Sequence, residues 1–201
     1  MTTRVRTGRA NQKERTRTAI VDATRDLIRT GGEVTMPTVA AAALVSEATT
    51  YRYFSDLASL LHAAMADVWP SPADALAPVA HSADPVERVA YAAEVLLRGV
   101  LAYQGAVRAM IAASITRPDL AALRPGYRFG LIDEALAPPG GAPATATPEA
   151  LAQLKRDLAV IVSAEALFAL TDLCHLPPDD AVASAVQTAR TVTWAATQPR
   201  A

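Results

Sequence analysis

The chain has 201 residues, of which 51 % are apolar and 19 % are charged, so it is long enough to bury a core and to form two small domains. Its single cysteine, Cys174, excludes an internal disulfide and a thiolate metal cluster, and favours a reducing cytoplasm. No secretory signal and no uncharged apolar run of membrane-spanning length is present, so we expect no membrane partner.

The charge is unevenly distributed along the chain. The net charge is −1, but residues 1–17 hold six basic residues against Glu14 alone, which makes +5 there and leaves −6 for the rest. Residues 1–11 are polar and basic and show no periodicity. We therefore predict a flexible basic arm over 1–11 that orders when it contacts a polyanion such as DNA.

The first predicted helix runs from Gln12 to Arg29 and ends at the glycine pair Gly31-Gly32, which is typical of a helix C-cap. Its apolar residues follow the i, i+3, i+4 spacing of an amphipathic helix. They are Ala19, Ile20, Ala23, Leu27 and Ile28.

The next stretch, 35–54, has the pattern of two short helices joined by a turn. Thr35 is a good N-cap, and Pro37 fits a first helical turn, where a missing N–H costs little. Ser46 can cap a second helix over 47–54. The small apolar face of the first helix comprises Val39, Ala40 and Ala43. Two short helices in this arrangement indicate a helix-turn-helix.

The same stretch resembles the DNA-binding signature of the TetR family of transcriptional regulators, T-x-x-x-I-A-x-x-A-G-V-S-x-G-T-[LIV]-Y-x-H-F. The matching residues are Thr35, Val39, Ala40, Ala43, Val45, Ser46, Thr49, Tyr51 and Phe54. The departures are Leu44 and Ala48 for glycine, Thr50 for an aliphatic residue, Tyr53 for histidine and Leu57 for a common lysine. The resemblance covers roughly the first third of the chain. It implies an all-α protein with an N-terminal three-helix DNA-binding domain and a C-terminal helical domain for ligand binding and dimerisation.

The resemblance also implies which residues contact DNA. They are Arg15, Thr35, Ser46, Glu47, Thr49, Tyr51, Arg52 and Tyr53. Arg52 is the best candidate for reading a base, because a guanidinium can bridge O6 and N7 of guanine, although a phosphate contact is the alternative. The hydroxyl groups of Thr35, Thr49, Tyr51 and Tyr53 suit phosphates, and Thr50 is predicted to lie in the core.

Leu44 occupies the turn position at which the family has a glycine with positive φ. Either the turn keeps the family shape and strains Leu44, or it has another shape and the second helix is re-aimed. We expect the strained form, which costs roughly 1–2 kcal/mol for a residue with a Cβ atom.

A further helix is predicted from Leu57 to Trp69, with Leu60, Leu61, Ala64 and Val68 facing inward. Pro70 marks the predicted boundary between a DNA-binding domain over 12–69 and a ligand-binding and dimerisation domain over 70–201. The helices predicted in the second domain are Pro85–Tyr103, Ala106–Ile115, Pro118–Leu136 (with a kink at Pro125-Gly126), Pro148–Cys174 and Asp179–Thr197. A mobile loop is predicted for the low-complexity segment Pro138–Pro148.

The last two predicted helices are apolar on more than one face, so each needs cover on two sides. A second copy of the chain would supply that cover, as the family's four-helix dimer interface does. The residues predicted at this homodimer interface are Leu158, Ile161, Val182, Val186 and Ala189.

Aromatic residues are scarce (5 %) and are spread over the helices that build the ligand pocket in the family. The candidate lining residues are Tyr91, Arg98, Tyr103, Met110, Tyr127, Phe129, Glu165 and Phe168, each of which could equally be plain core. Glu165 lies in an apolar run, so we predict a buried carboxylate that pairs with Arg98 or Arg108, with a ligand cation as the alternative.

We therefore predict a dimeric regulator, most simply a repressor, that binds a palindromic double-stranded operator and is released by a small, mainly apolar effector. A DNA-binding regulator without such an effector is one alternative, and a helical enzyme is another. The enzyme is disfavoured because Ser114, His81 and His175 lie in no nucleophile elbow, phosphate loop or zinc motif. We expect no cofactor and no metal, since Cys174 and His175 have no second pair of ligands.

Overall fold

The structure is a computed structural model that describes residues 4–66, 68–117, 119, 126–137 and 147–198. Within these ranges every regular element is a helix and none is a strand, so the predicted all-α class is confirmed. The α-helices are α1 (Arg4–Thr30), α2 (Met36–Ala42), α3 (Glu47–Tyr53), α4 (Leu57–Met65), α5 (Pro72–Ala75), α6 (Pro85–Ala102), α7 (Gln104–Thr116), α8 (Tyr127–Leu136), α9 (Pro148–Ile161), α10 (Ala164–Phe168) and α11 (Pro178–Thr197). A 3₁₀ turn, Ala77–Val79, follows α5, and a π-helical segment, Ala169–Leu173, follows α10.

The chain forms two compact units. The first comprises Met1–Trp69 and Tyr103–Pro125, and the second comprises Pro70–Ala102 and Gly126–Ala201. The chain thus leaves the first unit at Pro70, where the domain boundary was predicted, but it returns to that unit with α7. The predicted division into 12–69 and 70–201 placed α7 in the second domain, whereas α7 belongs to the first unit.

The first unit has one hydrophobic core to which α1, α2, α4 and α7 all contribute. Its buried members are Ile20, Val21, Ile28, Met36, Val39, Phe54, Leu60, Leu61, Ala64, Met65, Ala106 and Met110. Helix α4 ends at Met65 rather than Trp69, but Leu60, Leu61 and Ala64 are buried as predicted. Helix α7 therefore covers a face of the helix-turn-helix core.

Helix α1 begins at Arg4, eight residues before the predicted start at Gln12. The described part of the predicted basic arm is therefore helical, because arginine and alanine in this stretch are good helix formers and no proline interrupts it, although Gly8 is unfavourable in a helix. The helix ends as predicted at Gly31, whose φ is 71°.

The second unit is centred on α6, which packs chiefly against α11 and also against α8. One stripe of α6 is buried at three- and four-residue spacing, by Val89, Ala93, Leu97 and Val100. The matching stripe of α11 consists of small residues four apart, Ala181, Ala185 and Ala189, which allow the two helices to approach closely.

The predicted single helix from Pro148 to Cys174 is broken in the structure. Helix α9 ends at Ile161, and Ser163 adopts an extended conformation and caps α10 by accepting a hydrogen bond from the N–H of Ala166 at 3.0 Å. The hydroxyl of Ser163 also donates to the carbonyl of Val160 at 2.7 Å. A serine that bonds to the nearby backbone competes with the helix, which is the physical reason for the break.

Two predicted features cannot be compared in full. The segment Pro138–Pro148 lies outside the described residues up to position 146, and the kink predicted at Pro125-Gly126 lies partly outside them. Among the described helices, no single one is long and apolar enough to cross a bilayer; only Pro85–Ala102 and Gln104–Ile115, taken together, meet that test.

Candidate nucleic-acid interface

The first helix of the helix-turn-helix, α2, begins with a reciprocal cap. The hydroxyl of Thr35 accepts a hydrogen bond from the N–H of Thr38 at 3.3 Å, and the hydroxyl of Thr38 accepts one from the N–H of Thr35 at 2.9 Å. This satisfies two donors that a helix start would leave unpaired. The predicted N-cap is confirmed, and the Thr35 hydroxyl is already engaged in holding α2.

The turn after α2 closes as a Schellman motif. The N–H of Val45 donates to the carbonyl of Ala40 at 3.0 Å, and the N–H of Leu44 donates to the carbonyl of Ala41 at 3.2 Å. Leu44 has a φ of 55°, so the predicted strained left-handed turn is confirmed. Val45 packs against the core, whereas the Leu44 side chain is 92 % exposed.

The second helix, α3, is capped by Ser46, whose hydroxyl accepts a hydrogen bond from the N–H of Thr49 at 3.2 Å. The hydroxyls of Ser46 and Thr49 are also 2.9 Å apart. On the inner side, Thr50 is fully buried, as predicted, and its hydroxyl donates to the carbonyl of Ser46 at 3.4 Å. These contacts fix the orientation of α3 against the core.

The outer face of α3 carries the side chains able to contact DNA. Glu47, Tyr51 and Arg52 are exposed, and Tyr51 is exposed by 52 %. The guanidinium of Arg52 lies over the ring of Tyr53, 5.5 Å from its centroid, and Tyr53 itself is half-buried against the core. Arg52 is therefore held near the helix by a cation–π contact and is available for a base or a phosphate.

Two contacts are made by the residues that directly follow α3. The guanidinium of Arg17, on α1, lies 5.2 Å from the centroid of the buried Phe54 ring. After Phe54, the carboxylate of Asp56 caps α4 by accepting a hydrogen bond from the N–H of Ser59 at 2.8 Å. Arg15, predicted to contact DNA from α1, is exposed.

The pKa of Asp56 lies below its ordinary value. Burial raises it, but this is outweighed by the hydrogen bond from the N–H of Ser59, by the hydroxyls of Ser55 and Ser59, and by the positive charge of Arg117. The cap is thus charged at neutral pH, which suits the start of a helix.

The candidate ligand-lining residues are divided between the two units. Met110 is buried in the core of the first unit, and Tyr103 packs there edge-to-face on Trp69, with ring centroids 6.1 Å apart. In the second unit, Phe129 is exposed and Arg98 is an exposed partner of Glu94 and Asp179. The candidates with substantial burial there are Tyr91, Tyr127 and Phe168, and burial raises the pKa of the Tyr127 hydroxyl.

The predicted burial of Glu165 is wrong. Glu165 lies exposed in the first turn of α10, and its carboxylate pairs with the guanidinium of Arg128 at 3.3 Å. The break at Ser163 resets the helical phase, so the apolar run around Glu165 does not belong to one continuous buried face.

The predicted dimer interface needs correction as well. Leu158, Val182 and Ala189 are buried inside the second unit, and Ile161 and Val186 are half-buried. Helix α11 packs chiefly on α6 and also on α9, so its buried small residues are covered within the second unit. Among the described residues of the second unit, the exposed large apolar side chains are Phe129, Val160, Leu173 and Trp194.

The sequence analysis did not single out Arg88. It is buried on α6, and its guanidinium donates to three carbonyls: Val79 at 3.1 Å, Glu134 at 2.6 Å and Ala135 at 3.0 Å. An arginine in an otherwise apolar helical stripe is the signal that could have indicated it.

One comparison with known proteins, that with family models, agrees with the helix-turn-helix. The family model described as bacterial regulatory proteins, tetR family, matches residues 20–64, from α1 to α4. A solved structure from Mesorhizobium loti, described provisionally as a TetR-family transcriptional regulator, is similar over 92 % of this chain and 96 % of its own, with 15 % identity and a TM-score of 0.36. No curated protein sequence is similar enough to count as a match.

Proposed function

We propose that this chain, whose residues 20–64 match the family model of the tetR bacterial regulatory proteins, binds a palindromic operator as a homodimer and represses transcription. The observation that supports the proposal is that one side of α3 is buried in the core and the other side is exposed. Thr50 fixes its inner side in the core, while Glu47, Tyr51 and Arg52 are exposed on its outer side. Such a helix can enter the major groove with its polar side chains towards the bases.

Arg52 is the proposed base contact, and Thr35, Ser46, Thr49, Tyr51, Tyr53 and Arg15 are proposed to contact phosphates or to set the register. The capping hydroxyls support this role: Ser46 accepts a hydrogen bond from the N–H of Thr49, and because the two hydroxyls also bond to each other, one of them retains a proton to donate outward. Contacts from a well-anchored helix start position the protein without specifying sequence.

Selection of bound fragments from a random pool of duplex DNA tests the proposal. We expect a palindromic consensus whose half-site centres are one helical turn apart, about 34–36 Å. Arg52→Ala should relax the preference at one position per half-site by about 1–3 kcal/mol, whereas Tyr51→Phe should weaken all fragments alike. Failure to enrich any sequence would contradict the proposal.

A homodimer is proposed through the exposed apolar residues Val160, Leu173 and Trp194. Each is a large apolar side chain exposed on the second unit, and a partner that covered them together would remove apolar surface from water. This surface replaces the buried residues that were predicted from the helical pattern.

Release by a small, mainly apolar effector is proposed to involve Tyr91, Tyr127 and Phe168 of the second unit. They lie on α6, α8 and α10, and α6 contacts both of the other helices. An effector would need to bind the non-operator state more tightly, by about 1.4 kcal/mol for each tenfold preference. Thermal unfolding in the presence of a panel of apolar compounds tests this, with Phe168→Ala as the variant that should lose the stabilisation.

A regulator without a small effector is a second candidate. One observation favours it: three clefts lined by described residues, among them that between α6 and α11 around Arg98, Asp179 and Arg190, are surface grooves whose linings do not include Tyr91, Tyr127 or Phe168. Absence of any stabilising compound, together with tight operator binding, would favour this candidate.

A further inference from the structure

Two helices of the first unit end in the same backbone motif with different residues at its critical position. In α1 the N–H of Gly32 donates to the carbonyl of Leu27 at 2.9 Å and that of Gly31 to Ile28 at 3.3 Å. In α2 the corresponding donors are Val45 and Leu44. The left-handed residue is a glycine after α1, with φ 71°, and a leucine after α2, with φ 55°.

The stability of the fold does not favour a leucine at position 44. A left-handed conformation is unfavourable for a residue with a Cβ atom, and leucine offers no side-chain hydrogen bond to offset it as asparagine would. Burial of the side chain could compensate, but Leu44 is 92 % exposed. The side chain is thus held outward by the backbone and is uncovered in the free protein.

Its place in the chain indicates what would cover it. Leu44 precedes the N-cap Ser46 by two residues, so their Cα atoms are at most about 7 Å apart. The N-terminal residues of a recognition helix are those that contact base edges in the major groove. The exposed neighbours Ala41, Ala42 and Ala48 are small and uncharged and leave room for an apolar contact, and the nearest exposed charge in sequence is Glu47, three residues away.

The apolar group that the major groove offers is the 5-methyl of thymine. We propose that Leu44 is a specificity-determining residue that covers the 5-methyl group of one thymine in each operator half-site. The turn of the helix-turn-helix then contributes to sequence readout, in addition to Arg52 on α3. This inference rests on the proposed operator binding.

The test uses the full-length chain and the DNA fragment that the selection experiment enriches most. Each thymine is replaced in turn by deoxyuridine, which lacks only the methyl group. Wild-type affinity should fall about fourfold at one thymine per half-site, as expected for uncovering one buried methyl group. The same replacement should have no effect on Leu44→Gly or Leu44→Asn, because both residues tolerate a positive φ and keep the turn.

Ile115→Asn is the matched control, since it removes another exposed aliphatic side chain of the same unit and should retain the wild-type response to deoxyuridine. Tight binding with no sensitive thymine, or a sensitivity that persists in both Leu44 variants, would overturn the inference and leave operator binding intact. Failure of the wild type to select any fragment would overturn both. Thermal unfolding of each variant shows whether a lost response reflects loss of the fold.

Discussion

The guanidinium Nε of Arg88 lies 3.0 Å from the carbonyl oxygen of Ala135, a residue 47 positions further along the chain. The same group reaches the carbonyls of Glu134 and Val79. Carbonyls in the last turn of a helix have no partner within that helix, so Arg88 provides an external cap for α8. Its positive charge also suits the negative end of the helix. One side chain therefore joins α6, α8 and the 3₁₀ turn of the second unit.

Replacement of Arg88 should lower the free energy of unfolding. Arg88→Met removes a donor from the carbonyl of Ala135, whereas the carbonyls of Val79 and Glu134 keep the N–H groups of Ser82 and Ala137, so we expect the free energy of unfolding to fall by about 1–3 kcal/mol. Urea denaturation measures the change. The control Arg98→Met removes exposed ion pairs with Glu94 and Asp179, which solvent screens, and should change the free energy of unfolding much less. Equal losses for the two variants would contradict the capping role.

The turns at Gly31 and Leu44 allow a reciprocal experiment. Leu44→Gly relieves a strain of roughly 1–2 kcal/mol and adds glycine entropy of about 0.5–1 kcal/mol to the unfolded chain, while no buried contact is lost. Stability should stay constant or rise by up to about 1 kcal/mol. Gly31→Ala should lower it by about 1 kcal/mol; no atom lies within 4 Å of the added Cβ, so the cost is conformational. A loss above about 2 kcal/mol for Leu44→Gly would show that the leucine contributes to the core.

The cap at Asp56 predicts a pH dependence. The pKa of Asp56 is lower in the folded state than in the unfolded chain. Ionised Asp56 therefore stabilises the fold above its unfolded pKa, about 3.9, and the stabilisation is lost as the pH falls through the lower folded pKa. Asp56→Asn keeps a capping oxygen but not the charge. The stability difference between Asp56→Asn and the wild type should be largest near neutral pH and should vanish in strong acid; a constant difference would assign the effect to shape rather than charge.

The basic N-terminal segment should add affinity without specificity. Deletion of residues 1–9 removes Arg4, Arg6 and Arg9 from the sequence. For each phosphate contact that is lost, the slope of log affinity against log salt concentration should flatten by about 0.9. The preferred DNA sequence should not change. Fluorescence anisotropy across a salt series measures the slope, and an unaltered slope would exclude phosphate contacts by these residues.

The proposed dimer surface is tested at Trp194, which is 58 % exposed on α11. Trp194→Glu would place two charges in an apolar interface and should give monomers in sedimentation experiments, with normal helical content and weakened operator binding. Ile115→Glu, at an exposed apolar residue of the other unit, should leave the dimer unchanged. A dimeric Trp194→Glu protein would locate the interface elsewhere.

Local signals in the sequence were sufficient for the helix-turn-helix. Thr35 and Ser46 cap helices through neighbours three residues away, and Leu44 was identified by its departure from a family pattern. Contacts remote in sequence were not predictable in this way. Arg88 donates to carbonyls 46 and 47 residues away, and the periodicity of α11 did not reveal that Ala189 is buried within its own chain.

The return of the chain to the first unit determines how that unit can be isolated. Ala106 and Met110 of α7 are buried in the same core as Val39 and Leu61, yet residues 70–102 separate them from α4 and belong to the second unit. A fragment that stops at Trp69 would therefore expose apolar surface that α7 normally covers, and it should be prone to aggregation. An autonomous version of this unit needs α7 supplied either as a separate peptide or through a new linker after α4.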